Sequence, residues 1–160
     1  YIEGSKEAID NFVERFEKCH SGPYPNQEEN PHIADEFGAD AELFIDKVGS
    51  KWIQIWDEGY YRSSDNRCEI YLDTAWYPPS DMILEIYRQM AEIDDEIKVS
   101  GKYWDEGHQP IGVFEVYYGQ IISEEQSIDD DEDQEYFWDD VIEPAFEILQ
   151  ERLDKVMEEI

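Results

Sequence analysis

Hydrophobic spacing along this chain switches between two periods, and that switching restricts the fold more than any other feature. Ile9, Phe12, Val13 and Phe16 stand at i, i+3, i+4 and i+7, one apolar stripe of a helix over residues 6–20. Ser5 precedes it as an N-cap, and Ser21-Gly22-Pro23 ends it. Residues 51–56 then alternate Trp52, Gln54 and Trp56 with Ile53 and Ile55. Residues 68–74 alternate Cys68, Ile70, Leu72 and Thr74 with Glu69, Tyr71 and Asp73. Period two predicts strands. The helical period returns over 81–93 in Ile83, Ile86, Tyr87 and Met90, behind Pro78-Pro79 and a capping Ser80. Residues 96–104, 110–118 and 120–123 read as three more strands, with residues 105–108 and Gly119 as turns. Phe146, Leu149, Leu153, Val156 and Ile160 stripe a last helix that carries Pro144 near its start.

The remaining segments fill in around these. Tyr1 to Glu3 reads as the end of a strand, residues 22–38 as a long proline-bearing surface loop, and residues 39–48 as a short helix stopped by Gly49. The run SEEQSIDDDEDQE, residues 123–135, is nearly free of apolar side chains and reads as a linker. Phe137, Trp138, Val141 and Ile142 after it need a dry home. The order predicts an α+β protein: a ferredoxin-like βαββαβ sandwich with one antiparallel sheet, helices on one face, and an extra C-terminal helix. The expected division is a ferredoxin-like domain over 1–123, an acidic loop over 124–135, and a helix over 136–160 docked on the same domain.

Charge comes next. Forty-two Asp and Glu face twelve Lys and Arg, a formal charge of −30 on 160 residues. Like charges on a compact body repel, and solubility asks for only about 2 to 8 units on a small domain. The excess is therefore an adaptation to salt or a surface aimed at a positive partner. It opposes direct binding to nucleic acid and to anionic membrane. Aromatics make up 14% of the chain, too many for a disordered acidic polymer. No apolar run nears the ~20 residues that span a bilayer, and no secretion signal is visible, so the expected location is the cytoplasm of a host cell. Cys19 and Cys68 read as two free thiols.

Chemical motifs are sparse. His20, His32 and His108 are scattered without metal-ligand spacing. Asp129 to Asp133 could gather loose counterions but lacks the EF-hand pattern, so no metal and no cofactor are expected. There is no G-x-S-x-G, no P-loop and no evident Cys-His pairing, and no enzyme is expected. Lys51, Trp52 and Trp56 could stack nucleobases, but Lys51 stands alone in an acidic field, and sheet packing is the reading taken. Asp73, Trp76, Pro78 and Pro79 form either a binding edge or a capped turn with Trp76 laid over the sheet.

Val48-Gly49-Ser50-Lys51-Trp52, followed about twenty residues later by Leu72-Asp73-Thr74-Ala75-Trp76-Tyr77-Pro78-Pro79, resembles the YubB-type ferredoxin-like domain family of phages and conjugative plasmids. Its members carry a "WGTKWD"-like and then a "DTAWSPP"-like segment. This chain departs from the first at Val48 and Ile53. The resemblance spans roughly residues 1–124 and implies the fold and a mobile-element origin, with no established activity.

Acids also recur along the helices: Glu7, Asp10, Glu14 and Glu17 opposite the first stripe, and Glu147, Glu151, Asp154, Glu158 and Glu159 on the last. Carboxylates one turn apart repeat every ~5.4 Å, and rows of them approach the charge density of duplex DNA, one per ~1.7 Å. The expected function is thus a DNA mimic that occludes a basic nucleic-acid-binding protein, of the anti-restriction or anti-CRISPR kind. Its contact residues would be Glu7, Asp10, Glu14, Asp129, Asp130, Asp131, Asp133, Glu151 and Asp154, with Trp76 and Trp138 as aromatic anchors. The alternative is a scaffold protein without such a target, its acidity serving solubility or salt tolerance. The last helix leaves homodimerisation open.

Overall fold

The computed structural model describes residues 1–25, 29–129 and 137–160. Contacts divide the chain into two compact units, Tyr1–Val99 and Ser100–Ile160, rather than at residue 123.

In the first unit a short strand β1 (Ile2–Glu3) leads into helix α1 (Lys6–Glu17). Ser5 caps α1, its Oγ accepting from the Ala8 amide at 3.2 Å, and Ala8, Ile9, Phe12, Val13 and Phe16 are buried. The helix stops short of His20 because the backbone there is claimed elsewhere. His20 N–H donates to the Pro31 carbonyl at 3.1 Å, and the His20 carbonyl accepts from Ile33 at 2.9 Å.

That bridge also corrects the reading of residues 22–38 as loop throughout. They hold a helix, α2 (Ile33–Phe37), whose Ile33, Ala34 and Phe37 are fully buried. Its cap is His32, whose Nδ1 accepts from the Ala34 amide at 3.1 Å, leaving Nε2–H to face the Gly22 carbonyl at 3.2 Å. The short helix α3 (Phe44–Val48) begins five residues later than expected and ends at Gly49, which takes φ +80°.

Strand β2 (Ile53–Ser64) pairs antiparallel with β3 (Arg67–Thr74), Ile53 opposite Thr74 and Arg62 opposite Cys68. A register shift between Ile55 and Tyr60 holds Gly59 at φ +76°. There a β-carbon would meet Ile55 Cγ2 at 2.4 Å. Helix α4 (Ser80–Ala91) follows, burying Met82, Ile83, Ile86 and Met90. Pro79, not Ser80, occupies its cap position, and no side chain caps it. Strand β4 (Lys98–Trp104) starts in this unit and pairs with β1, Ile2 opposite Val99. The order is β2-β3-β1-β4, antiparallel at every step. Ile2, Ile53, Cys68 and Val99 turn to the buried face. The opposite face of the β2–β3 pair is open, contrary to the expected packing: Trp52 is 47% and Trp56 54% exposed.

Phe12 lies 5.5 Å from Phe16 and 5.1 Å from Phe37 between ring centroids, joining α1 to α2. Arg15 ties the helices together. Its Nε donates to Glu36 at 2.5 Å and one terminal nitrogen to Gln89 of α4 at 2.5 Å, while the guanidinium lies 4.8 Å over the Phe37 ring. Cys19 and Cys68 are free. Burial pushes their thiols up to about 12 and about 11, which keeps both in the unreactive protonated form near neutral pH.

His32 is 4% exposed, and burial holds its imidazole below the usual histidine range. The unfolded chain, titrating near ~6.5, then takes up the proton first as pH falls. The stabilisation from neutral His32 is full above that value and lost between it and the lower folded value. His32→Asn keeps a capping oxygen and removes the titration. Urea unfolding at pH 8, 7, 6 and 5 should show the variant gaining on the wild-type chain as pH drops.

In the second unit the rest of β4 pairs with β5 (Ile111–Tyr117), which pairs with β6 (Gln120–Gln126) through a turn at Tyr118-Gly119, both at positive φ. β6 runs past the expected end at Ser123. Glu124 and Glu125 are strand, opposite Val113 and Gly112, and not linker. A π turn (Trp138–Ile142) runs without a break into helix α5 (Glu143–Glu159). α5 packs on β5 and β6 around Ile111, Val113, Ile142, Phe146, Leu149 and Leu153. Among the described residues no helix is long and apolar enough to cross a membrane.

Candidate functional site

Glu7, Asp10, Glu14 and Glu17 fall within about 80° of the α1 circumference at 3.6 residues per turn. Two of the four acids in this row are matched by cations. Asp10 holds Lys6 and Arg62, each at 2.6 Å, and Glu14 meets Lys18 at 3.7 Å. The Lys6 ammonium first, and the Arg62 guanidinium second, keep the Asp10 carboxyl below the usual aspartate range. Glu17 accepts from the Tyr60 hydroxyl. Asp10 and Glu14, two of the expected contact residues, are therefore already engaged by cations. Arg62 lies in β2, too far along the chain for helical spacing to reveal it.

The last helix differs. Glu143, Glu147, Glu151, Asp154 and Glu158 also fall within about 80° of arc, spread over a rise of about 22 Å. All five side chains are exposed. Among the described residues none is in an ion pair; Asp154 accepts only from the Gln150 amide at 2.9 Å. Arg152 and Lys155 sit outside the arc. Three like-charged pairs at i, i+4 (143/147, 147/151 and 154/158) each oppose the helix by roughly 0.2–0.5 kcal/mol. Glu158 and Glu159 also sit at the C-terminal end, where the helix dipole disfavours anions. Helix stability does not account for the row. Its opposite side, through Phe146, Leu149 and Leu153, holds it to the sheet. Glu143 was left out of the expected row although it lies inside the helix expected over 136–160; its i−4 spacing from Glu147 was the available signal.

The other expected residues scatter. Asp129 is exposed, while Asp130, Asp131 and Asp133 lie outside the described residues. Trp76 is 71% exposed and sits at φ +66°, a left-handed conformation costly for a bulky residue. It does not lie over the sheet, and Lys51 Nζ stands 5.0 Å from its ring. The turn is held by Thr74 Oγ1 donating to the Tyr77 carbonyl at 2.6 Å; Asp73 instead accepts from the Trp56 indole N–H. Trp138 belongs to an aromatic cluster, 5.2 Å from Trp104 and 6.3 Å from Phe146. Glu7, Asp10, Glu14 and Trp76 are in the first unit; Asp129, Glu151, Asp154 and Trp138 are in the second.

Compared with known proteins, the chain matches no family model, no curated protein and no solved structure.

Proposed function

We propose that this is an acidic binding protein that occupies the cationic groove of a nucleic-acid-handling partner, with the α5 carboxylate row as its contact. The observation that carries the reading is the set of five exposed carboxylates on one arc of a docked helix, none of them in an ion pair among the described residues. They offer one charge per about 5.6 Å, against one per ~3.4 Å along a single DNA strand. A partner that binds phosphates through Lys and Arg meets a fixed file of oxygen acceptors, and the −30 charge speeds encounter. The strand order β2-β3-β1-β4 with helices after β1 and β3 supports a ferredoxin-like first unit. With the Trp76-Tyr77-Pro78-Pro79 segment, it supports an origin in a phage or plasmid, whose natural targets are restriction, CRISPR or recombination proteins acting in the host cytoplasm.

The test neutralises the row: Glu147→Gln, Glu151→Gln, Asp154→Asn and Glu158→Gln together. Basic proteins captured from a bacterial lysate by the wild-type chain should elute at lower salt from the variant, and duplex DNA should displace them. Equal elution salt, or capture indifferent to DNA, ends the proposal. A further prediction separates this reading from salt adaptation. At about 10 mM ionic strength, where charges act over ~30 Å, the chain should stay folded by circular dichroism; a halophile's protein would unfold.

A further inference from the structure

The open face of the β2–β3 pair carries rings and carboxylates in register. Trp56 and Tyr61 project from β2; Glu69, Tyr71 and Asp73 project from β3 on the same side, since Tyr61 pairs with Glu69 and Gln54 with Asp73. Trp56, Tyr61 and Tyr71 are 54%, 60% and 49% exposed, three aromatic rings left in water on one side of the strand pair. Each of two rings is held by an acid. The Trp56 indole donates to Asp73, and the Tyr71 hydroxyl donates to Glu69 at 2.6 Å. That bond, more than burial, raises the Tyr71 phenol to about 12, so its ring stays neutral beside the carboxylate.

The molecule itself shows what such a surface accepts. At the edge of the same face, Arg67 lays its guanidinium 4.6 Å over the Tyr1 ring and reaches Glu3 at 3.3 Å and Glu69 at 3.8 Å. Among the described residues no cation lies over Trp56, Tyr61 or Tyr71, and Asp73 is in no ion pair, whereas Glu69 already meets Arg67 with one oxygen. A planar guanidinium can stack flat on a ring and keep its in-plane N–H fork for a carboxylate, a geometry that a lysine ammonium, a point charge on a flexible stem, matches less well.

We propose that the open face of β2 and β3 docks an arginine-bearing segment of a partner protein, its guanidinium groups stacked on Trp56, Tyr61 and Tyr71 and bonded to Asp73 and Glu69. The occupant follows from charge complementarity with this acidic, aromatic face. The surface is distinct from the α5 row, and either can fail without the other.

The test uses the full chain, at about 150 mM salt to damp nonspecific attraction, and two synthetic peptides. One has four arginines spaced by glycine and serine; the other has lysine at those positions. Tryptophan fluorescence and calorimetry should give the arginine peptide about fivefold tighter binding. Trp56→Ala with Tyr71→Ala should erase that preference and leave the lysine peptide unchanged. Glu69→Gln with Asp73→Asn keeps the rings and their hydrogen bonds, and should weaken the preference too; Glu147→Gln with Glu151→Gln should not. Equal affinity for the two peptides, no binding of either, or a preference that survives Trp56→Ala with Tyr71→Ala overturns the proposal.

Discussion

Phe12→Ala will cost about 3–5 kcal/mol of stability, the range for removing a buried phenylalanine ring. Phe12 is 0% exposed and packs on both Phe16 and Phe37, so its ring is a central contact between α1 and α2. Phe16 in turn meets the edge of Tyr60 on β2, 6.1 Å between centroids. Truncation opens a cavity between α1 and α2, and the bond of Arg15 to Glu36 resists the shift of α2 that would close it. A loss of this size is a large share of the ~5–15 kcal/mol that holds most domains. Urea denaturation followed by circular dichroism measures it. Glu14→Ala, on the exposed side of the same helix, should change stability by no more than about 0.5 kcal/mol. A Phe12→Ala loss under about 1 kcal/mol would mean the aromatic contact does not organise this unit.

What could be read in advance followed from periodicity, and what could not depended on distant partners. The stripe Ile9-Phe12-Val13-Phe16 and the alternation in β3 placed side chains on the faces they occupy, because 3.6 and two are geometric properties of the elements themselves. α2 escaped for three reasons: five residues give little more than one helical turn, Pro23, Pro25 and Pro31 crowd the stretch before them, and the cap is a histidine rather than Ser, Thr, Asp or Asn. Its start is set by the His20 bridge. Glu124 and Glu125 looked like linker by composition and became strand by pairing with β5, where the partner outweighs local preference. The acidic rows on α1 and α5 were legible from spacing alone. Lys6 and Lys18, four residues from Asp10 and Glu14, were legible in the same way; Arg62 was not, because it reaches Asp10 from β2 through the tertiary fold.

Leu149→Ala tests whether the bare row needs its docked helix. Leu149 is fully buried with Ile111, Val113, Ile142 and Leu153, and truncation at such a site costs about 2–5 kcal/mol. α5 has seventeen residues, only just past the ~12–15 below which isolated helices are marginal in water. Its like-charged pairs at i, i+4 push it further toward coil. The buried stripe is therefore what keeps five carboxylates on one arc, and a frayed α5 would present the same charges without their spacing. Two variants separate charge from order. Glu151→Gln removes one charge and relieves repulsion, so stability should hold or rise while partner binding weakens. Leu149→Ala keeps every charge, so stability should fall, amide exchange along α5 should quicken, and binding should weaken as well. If Leu149→Ala loosens α5 by hydrogen exchange yet captures the same basic proteins at the same elution salt, the row acts as diffuse charge, and a geometric match to a phosphate file is not how it binds.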